Sequence, residues 1–204
     1  MKQGEFYFVT DEYFAKYDTG KKLMQNKEGQ HHRPCYFVFP DRENEEILWC
    51  IPVSSKVEKF EKIADKKVAQ QKARGKKGAI CNTICFGTVL GEKRAFLIQN
   101  MFPITSKYIK NKYIDRNTNN AVTIPQKEQR IIYNNARDVL GKVFHGWKNL
   151  VFSDVIEARE KLLEEIALQI EKEAIAAQII AEAERETVEM LSQKPEAPAR
   201  GQHR

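Results

Sequence analysis

CYFVFPDRENEEILWCIPVSSK, residues 35–56, is the stretch that decides the fold. Two runs rich in aromatic and β-branched residues, CYFVFPD (35–41) and EEILWCIPV (45–53), are joined by the polar, acidic DRENEE. That pattern predicts a β-hairpin with a longer turn. At Lys56 the period changes. Val57, Phe60, Ile63, Ala64 and Val68 recur at three- and four-residue steps, which predicts an amphipathic helix or helix-loop over 56–75. Gly75 and Gly78 end it.

The same reading extends outward. EFYFVTD (5–11) predicts a strand and EYFAKYD (12–18) a short helical turn. Residues 18–33 are polar and read as a long loop, the kind of segment that carries function in a compact domain. After the basic helix, AICNTICFGTVL (79–90), a GEKR turn and AFLIQNMFPI (95–104) predict a second hairpin. Residues 107–125 form a lysine- and asparagine-rich excursion, and Pro125 opens a helix over 126–143. From Ser153 the character changes. Ser153 or Asp154 can cap a helix, and Leu163, Ile166, Ile170, Ala174, Ala177 and Ala181 make a helical stripe running to about Leu191. The prediction is an α+β chain: a compact, mostly antiparallel sheet with helical insertions over 1–152, a long helix over 153–192, and a disordered tail over 193–204.

Charge is unevenly spread. Residues 1–152 carry 27 Lys+Arg against 16 Asp+Glu, a net +11, while 153–204 carry 7 against 12, a net −5. The densest part, Lys56–Lys77, has nine basic and three acidic residues. A field of that sign recruits polyanions, of which nucleic acid is the most abundant in a cell. No apolar run approaches the ~20 residues that span a bilayer. The opening MKQGEFYFVTDEYF has acids and aromatics where a signal peptide needs an apolar core, so the expected location is the cytoplasm. Cys35, Cys50, Cys81 and Cys85 lack the spacing of a zinc knuckle and read as reduced, mostly buried thiols.

The motifs narrow the chemistry. There is no Gly-rich phosphate loop, no HExxH helix and no carboxylate cluster suited to two Mg²⁺ ions. His31 and His32 sit in a loop, His145 in a turn and His203 in the tail, so no histidine dyad is expected. The informative segment is Ile51-Pro52-Val53-Ser54-Ser55-Lys56, which ends a strand and opens a basic helix. Ser54 or Ser55 can cap that helix; equally, two hydroxyls and an ammonium at a helix N-terminus can bind and polarise a phosphodiester. Arg33-Pro34 at the strand entrance adds a forked donor for phosphate oxygens. Gln99 and Asn100 can orient a ribose or base, and Tyr7, Tyr13 and Tyr36 offer stacking surface for unpaired bases.

In order, Arg33-Pro34-x-Tyr36, Ile51-Pro52-x-Ser54-Ser55-Lys56-Val57-Glu58-Lys59 and Leu97-Ile98-Gln99-Asn100-Met101-Phe102-Pro103-Ile104 resemble the toxins of type III toxin–antitoxin systems, the CptN branch of the ToxN/AbiQ family. The resemblance spans about residues 5–155; the long helix after Ser153 extends beyond the family pattern. It implies a barrel-like sheet similar to the MazF/Kid toxins and selective cleavage of single-stranded, adenine-rich cellular or phage RNA. It also implies a pseudoknot RNA antitoxin, a protein–RNA hetero-oligomer, and growth arrest as phage defence by abortive infection. Ser55 falls where the family has its active-site serine, with Ser54 beside it and Lys56 as the basic partner. Lys59 stands as the other candidate for that lysine. Arg33 falls near the family's lysine at the strand entrance, and Tyr13 matches the tyrosine after the first strand.

The implied reaction uses the ribose 2′-OH as nucleophile and needs no metal or other cofactor. Arg33 and the Ser54/Ser55 hydroxyls offset phosphoryl charge while Lys56 assists the leaving 5′-oxygen, giving a 2′,3′-cyclic phosphate and a 5′-hydroxyl. Lys59, Lys62, Lys66, Lys67, Arg74, Lys76, Lys77, Gln99 and Asn100 would carry the RNA strand. A basic module that holds RNA without cutting it, and a structural protein organised by the long helix, are the competing readings.

Overall fold

In the computed structural model, residues 1–18, 20, 22–24 and 33–192 are described, with side chains to residue 189. His31, His32, His203 and the tail lie outside them. The chain divides into two compact units, Met1–Leu163 and Glu164–Arg204.

The first unit is a seven-stranded antiparallel sheet with helices on both faces. Its elements run β1 (Phe6–Val9), α1 (Asp11–Tyr17), β2 (Pro34–Pro40), β3 (Leu48–Ser54), α2 (Val57–Ala73), β4 (Cys85–Val89), β5 (Glu92–Phe96), β6 (Phe102–Ile104), β7 (Ile109–Lys112), α3 (Gln126–Phe144) and the start of α4 (Val155–Ser192). The strand order is β4-β5-β3-β2-β1-β7, with β6 also on β3. One edge of β3 is therefore shared: Leu48–Cys50 pair with β6, and Val53–Ser54 pair with β5. The other edge carries β2 through the expected hairpin, in which Cys35 opposes Pro52 and Pro40 opposes Leu48. No ladder joins β4 to β7 among the described residues, so the barrel-like order is not closed by hydrogen bonds.

Strand alternation sorts the faces. Tyr36, Val38, Trp49, Ile51, Val53 and Phe96 share one buried cluster with Ile132, Ala136, Val139 and Val143 of α3. Ala95 and Leu97, on either side of Phe96, instead pack with Phe60 of α2 and Ile84. The two helices thus cover opposite faces of the sheet. Each fully buried large apolar side chain contributes about 1.5–3 kcal/mol, so the α3 cluster dominates the core. A further set of rings, Tyr13, Phe14, Tyr17, Phe102 and Tyr108, packs α1 with centroids 5.1–6.3 Å apart.

Three sequence expectations change. The second hairpin turns at Leu90-Gly91, not at GEKR, because both residues adopt positive φ (51° and 79°), as a tight mirror-image turn requires. Glu92–Arg94 consequently belong to β5, and the AFLIQNMFPI run breaks into β5, a 3₁₀ turn at Ile98–Asn100 and β6. The lysine-rich excursion hides β7, an edge strand on β1 whose Lys112 bridges buried Glu5 at 2.7 Å; lysine on an edge discourages pairing with other chains. Burial pushes the Glu5 carboxyl up, but bonds from Lys112 and Tyr7 outweigh it and hold it below the usual value.

Asp154, as expected, caps α4, its Oδ1 accepting the Glu157 amide at 3.1 Å. One turn later Arg159 reaches back to the β2–β3 turn. Its Nε and Nη2 bind the two Asp41 carboxylate oxygens at 2.8 Å each, and Nη2 also meets Glu43 at 2.7 Å. Trp49 Nε1 completes the Asp41 shell at 3.0 Å. This anchor puts the first turns of α4 in the first unit, past the expected boundary at residue 152. In the second unit α4 continues with Ile170, Ile175, Ile179 and Val188 exposed.

Candidate active site

β3 supplies the corner of interest because it ends where α2 begins. Its even-numbered residues face away from α3. Ser54, the last of them, is buried, and its Oγ accepts the Lys56 amide at 3.2 Å. That bond shapes the turn between strand and helix. The N-cap position of α2 is Lys56 and makes no side-chain capping bond, so neither serine caps α2 directly. Ser55 and Lys56 are both exposed. The first-turn amides of any α-helix lack intrahelical partners and carry its positive dipole end, so exposed Ser55 and Lys56 stand beside a local anion-favouring field.

Arg33 arrives at the same corner from β2. The antiparallel ladder ends with Cys35 opposite Pro52, so Arg33, just ahead of β2, lies near the end of β3 that carries Ser54. Arg33 is half-buried; burial pulls its pKa below the usual guanidinium value, which still leaves it charged at neutral pH. The fold therefore sets the entrance to β2, which Arg33 precedes, beside the exit from β3, where Ser54, Ser55 and Lys56 follow one another into α2.

Along α2 the steps 59, 62 and 66 put three exposed lysines on one face. Lys67 differs. It turns inward, and its Nζ donates to Thr83 Oγ1 at 2.8 Å and Gln99 Oε1 at 2.7 Å. Burial pulls its pKa down, since two neutral acceptors replace water only in part. Gln99, itself buried, also takes the Phe152 amide on its carbonyl at 2.9 Å. Asn100 is buried in the same 3₁₀ turn. Arg74, Lys76 and Lys77 are exposed beyond the far end of α2, about 25 Å of helix from Ser55.

Tyr13 corrects the sequence reading. Its ring is fully enclosed and its hydroxyl donates to the Pro103 carbonyl at 2.5 Å. Burial drives the hydroxyl's pKa well above the usual phenol value. A side chain so placed packs the core and cannot touch a ligand at the surface. Tyr7 and Tyr36 are buried too, so they offer no open stacking face. The cysteines are free as expected, with Cys35, Cys50 and Cys85 buried. Among the described residues no three His, Cys, Asp or Glu side chains converge as metal ligands would. Sequence reasoning passed over Thr83, which holds Lys67; a lone threonine after Asn82 carries no signal of its long-range partner.

No family model and no curated protein matches the chain. Among solved structures it is similar to AbiQ, a lactococcal anti-phage endoribonuclease belonging to the type-III toxin-antitoxin system. The match covers 80% of this chain and 99% of that one, with a TM-score of 0.53 and 16% sequence identity. The chain has the AbiQ fold. The α+β expectation and the family resemblance thus meet in one architecture, an AbiQ-like antiparallel sheet followed by a long C-terminal helix. No helix of the described residues is long and apolar enough to cross a membrane.

Proposed function

We propose that the chain is an endoribonuclease toxin of a type III toxin–antitoxin system, acting in the cytoplasm on single-stranded, A-rich RNA without a metal ion. The observation that supports this reading is an AbiQ-like fold in which exposed Ser55 and Lys56 follow the end of β3, beside the entrance of β2 that Arg33 precedes. The substrate's own 2′-OH attacks the adjacent phosphorus in line. The O2′–P bond forms, the P–O5′ bond breaks, and the 2′-OH proton passes to water. Arg33 and the Ser55 hydroxyl donate to the non-bridging oxygens as charge grows there, and Lys56 protonates the departing 5′-oxygen. The products are a 2′,3′-cyclic phosphate and a 5′-hydroxyl. Ser54, buried and accepting the Lys56 amide, positions that pair rather than touching RNA. Lys59, Lys62 and Lys66 carry the strand, with Lys67, Gln99 and Asn100 beside them and Arg74, Lys76 and Lys77 farther along. A pseudoknot antitoxin RNA occupies the same basic face and blocks it.

One such donor is worth about 3 kcal/mol in a transition state, so Ser55→Ala or Lys56→Ala should each slow cleavage of an A-rich RNA roughly a hundredfold with the circular dichroism unchanged. DNA of the same sequence should resist. Cleavage at the parental rate by Lys56→Ala, or activity that needs added Mg²⁺, refutes the mechanism. RNA binding without any cleavage by the parent chain leaves a basic binding module instead.

A further inference from the structure

The face of the sheet away from the Ser55 corner carries a second polar surface. Three adjoining concavities, of about 630, 620 and 490 Å³, run along α3. The first and second share Gln3 and Tyr133; the second and third share Arg42, Arg137, Gly141 and His145. They form one groove following the helical steps 127, 130, 133/134, 137 and 141. Gly141 borders open space, since a Cβ there would meet nothing within 4 Å.

Lys127, Arg130 and Arg137 line it from α3, and Arg42 from the β2–β3 turn. Among the described residues none of these four has an ion-pair or side-chain hydrogen-bond partner. The acids nearby are largely committed: Asp41 and Glu43 bind Arg159, and Asp138 binds Lys142 at 2.6 Å, which leaves exposed Glu45 as the one uncommitted acid of the described lining. Between the cations sits Tyr133, half-buried and braced edge-on by Phe39 with centroids 5.5 Å apart. From Lys127 to Arg137 the groove runs about 15 Å, enough for a few nucleotides.

We infer that this groove binds an unpaired stretch of RNA distinct from the strand at the Ser55 corner. Unpaired cations supply the phosphate contacts, and a tyrosine braced by Phe39, with cations on the helical turns either side of it, supplies the stacking surface that a flat base uses. An acidic peptide would use the cations but has no need of the ring. Only the choice of RNA as the polyanion rests on the function proposed above.

The test uses a short, uncleavable 2′-O-methyl RNA and the full chain. The parent should bind two strands per chain. Lys127→Ala/Arg130→Ala/Arg137→Ala, checked for native circular dichroism, should bind one, and in the parent these three cations should contribute about 2 to the salt slope of the second site, at about 0.7 per contact on single strands. One strand per parent chain, an unaltered count in the variant, or displacement by poly-glutamate as effective as by RNA overturns the inference. A parent that binds two strands but never cuts ordinary RNA overturns the proposed nuclease and leaves this groove standing.

Discussion

Removing the Arg159 guanidinium tests how the long helix is tied to the sheet. Arg159 and Asp41 are nearly enclosed, with side-chain exposures of 11% and 4%, and meet through two bonds of 2.8 Å. Breaking a buried pair from one side typically costs about 3–5 kcal/mol, because the other charge stays buried. The lower end applies here, since Trp49 and the Glu43 amide still donate to Asp41 after Arg159→Ala. About 3 kcal/mol lowers Tm by roughly 6–12 °C in a chain of this length. The deficit should also depend on pH. Burial pushes the Asp41 carboxyl up, but bonds from Arg159, the Glu43 amide and Trp49 outweigh it and hold it below its usual 3.8. A depressed carboxyl stabilises the fold above its unfolded pKa, and that stability fades as pH falls through the folded pKa. In the variant, Asp41 keeps its burial and two neutral donors but loses the guanidinium, so its carboxyl rises, protonates earlier, and its penalty shrinks on acidification. The gap between parent and variant should therefore be widest near pH 7 and narrow toward pH 3. Urea titrations followed by Trp49 fluorescence measure it. A gap that stays constant across that range refutes the ionic account and assigns the effect to Arg159 stacking on Phe144, whose ring lies 5.7 Å away.

Tyr13→Phe should cost about 1–3 kcal/mol in urea melts, the penalty for leaving the buried Pro103 carbonyl without its donor, while cleavage per folded molecule holds; a hundredfold loss of cleavage with parental stability would restore Tyr13 to the active site. Lys67→Met keeps the stem but leaves Thr83 and Gln99 without their shared donor, and should weaken RNA affinity about tenfold while the helix content stays native; unchanged affinity in filter binding would show that Lys67 only braces α2 against the 3₁₀ turn.

The hairpin, the basic helix and the capped C-terminal helix were legible because each rests on local periodicity: alternation in 35–53, three-and-four spacing in 57–73, an aspartate before Val155. The Ser54-Ser55-Lys56 segment was legible as the junction between two periods. Other features had no local signature. Ser54 and Ser55 are neighbours of the same type, and their different fates follow from where β3 ends: Ser54 is its last, buried residue, and Ser55 lies in the exposed turn into α2. Tyr13 carries no local sign of its place, because Phe102 and Tyr108, some ninety residues later, close around it. β7 was hidden because an edge strand needs no apolar alternation when one of its faces meets water.

Sequence alone determined that this chain would build an antiparallel sheet, run a cationic helix from one strand end, and carry its positive charge in the first three-quarters of its length, since propensity, period and charge belong to the residues themselves. Tertiary structure alone decided that the entrance to β2 lies beside the exit from β3, that Lys67 answers to Gln99, and that four unpaired cations share a groove along α3. Those are contacts across tens of residues, fixed by strand register and helix rotation, and nothing within a short window encodes either.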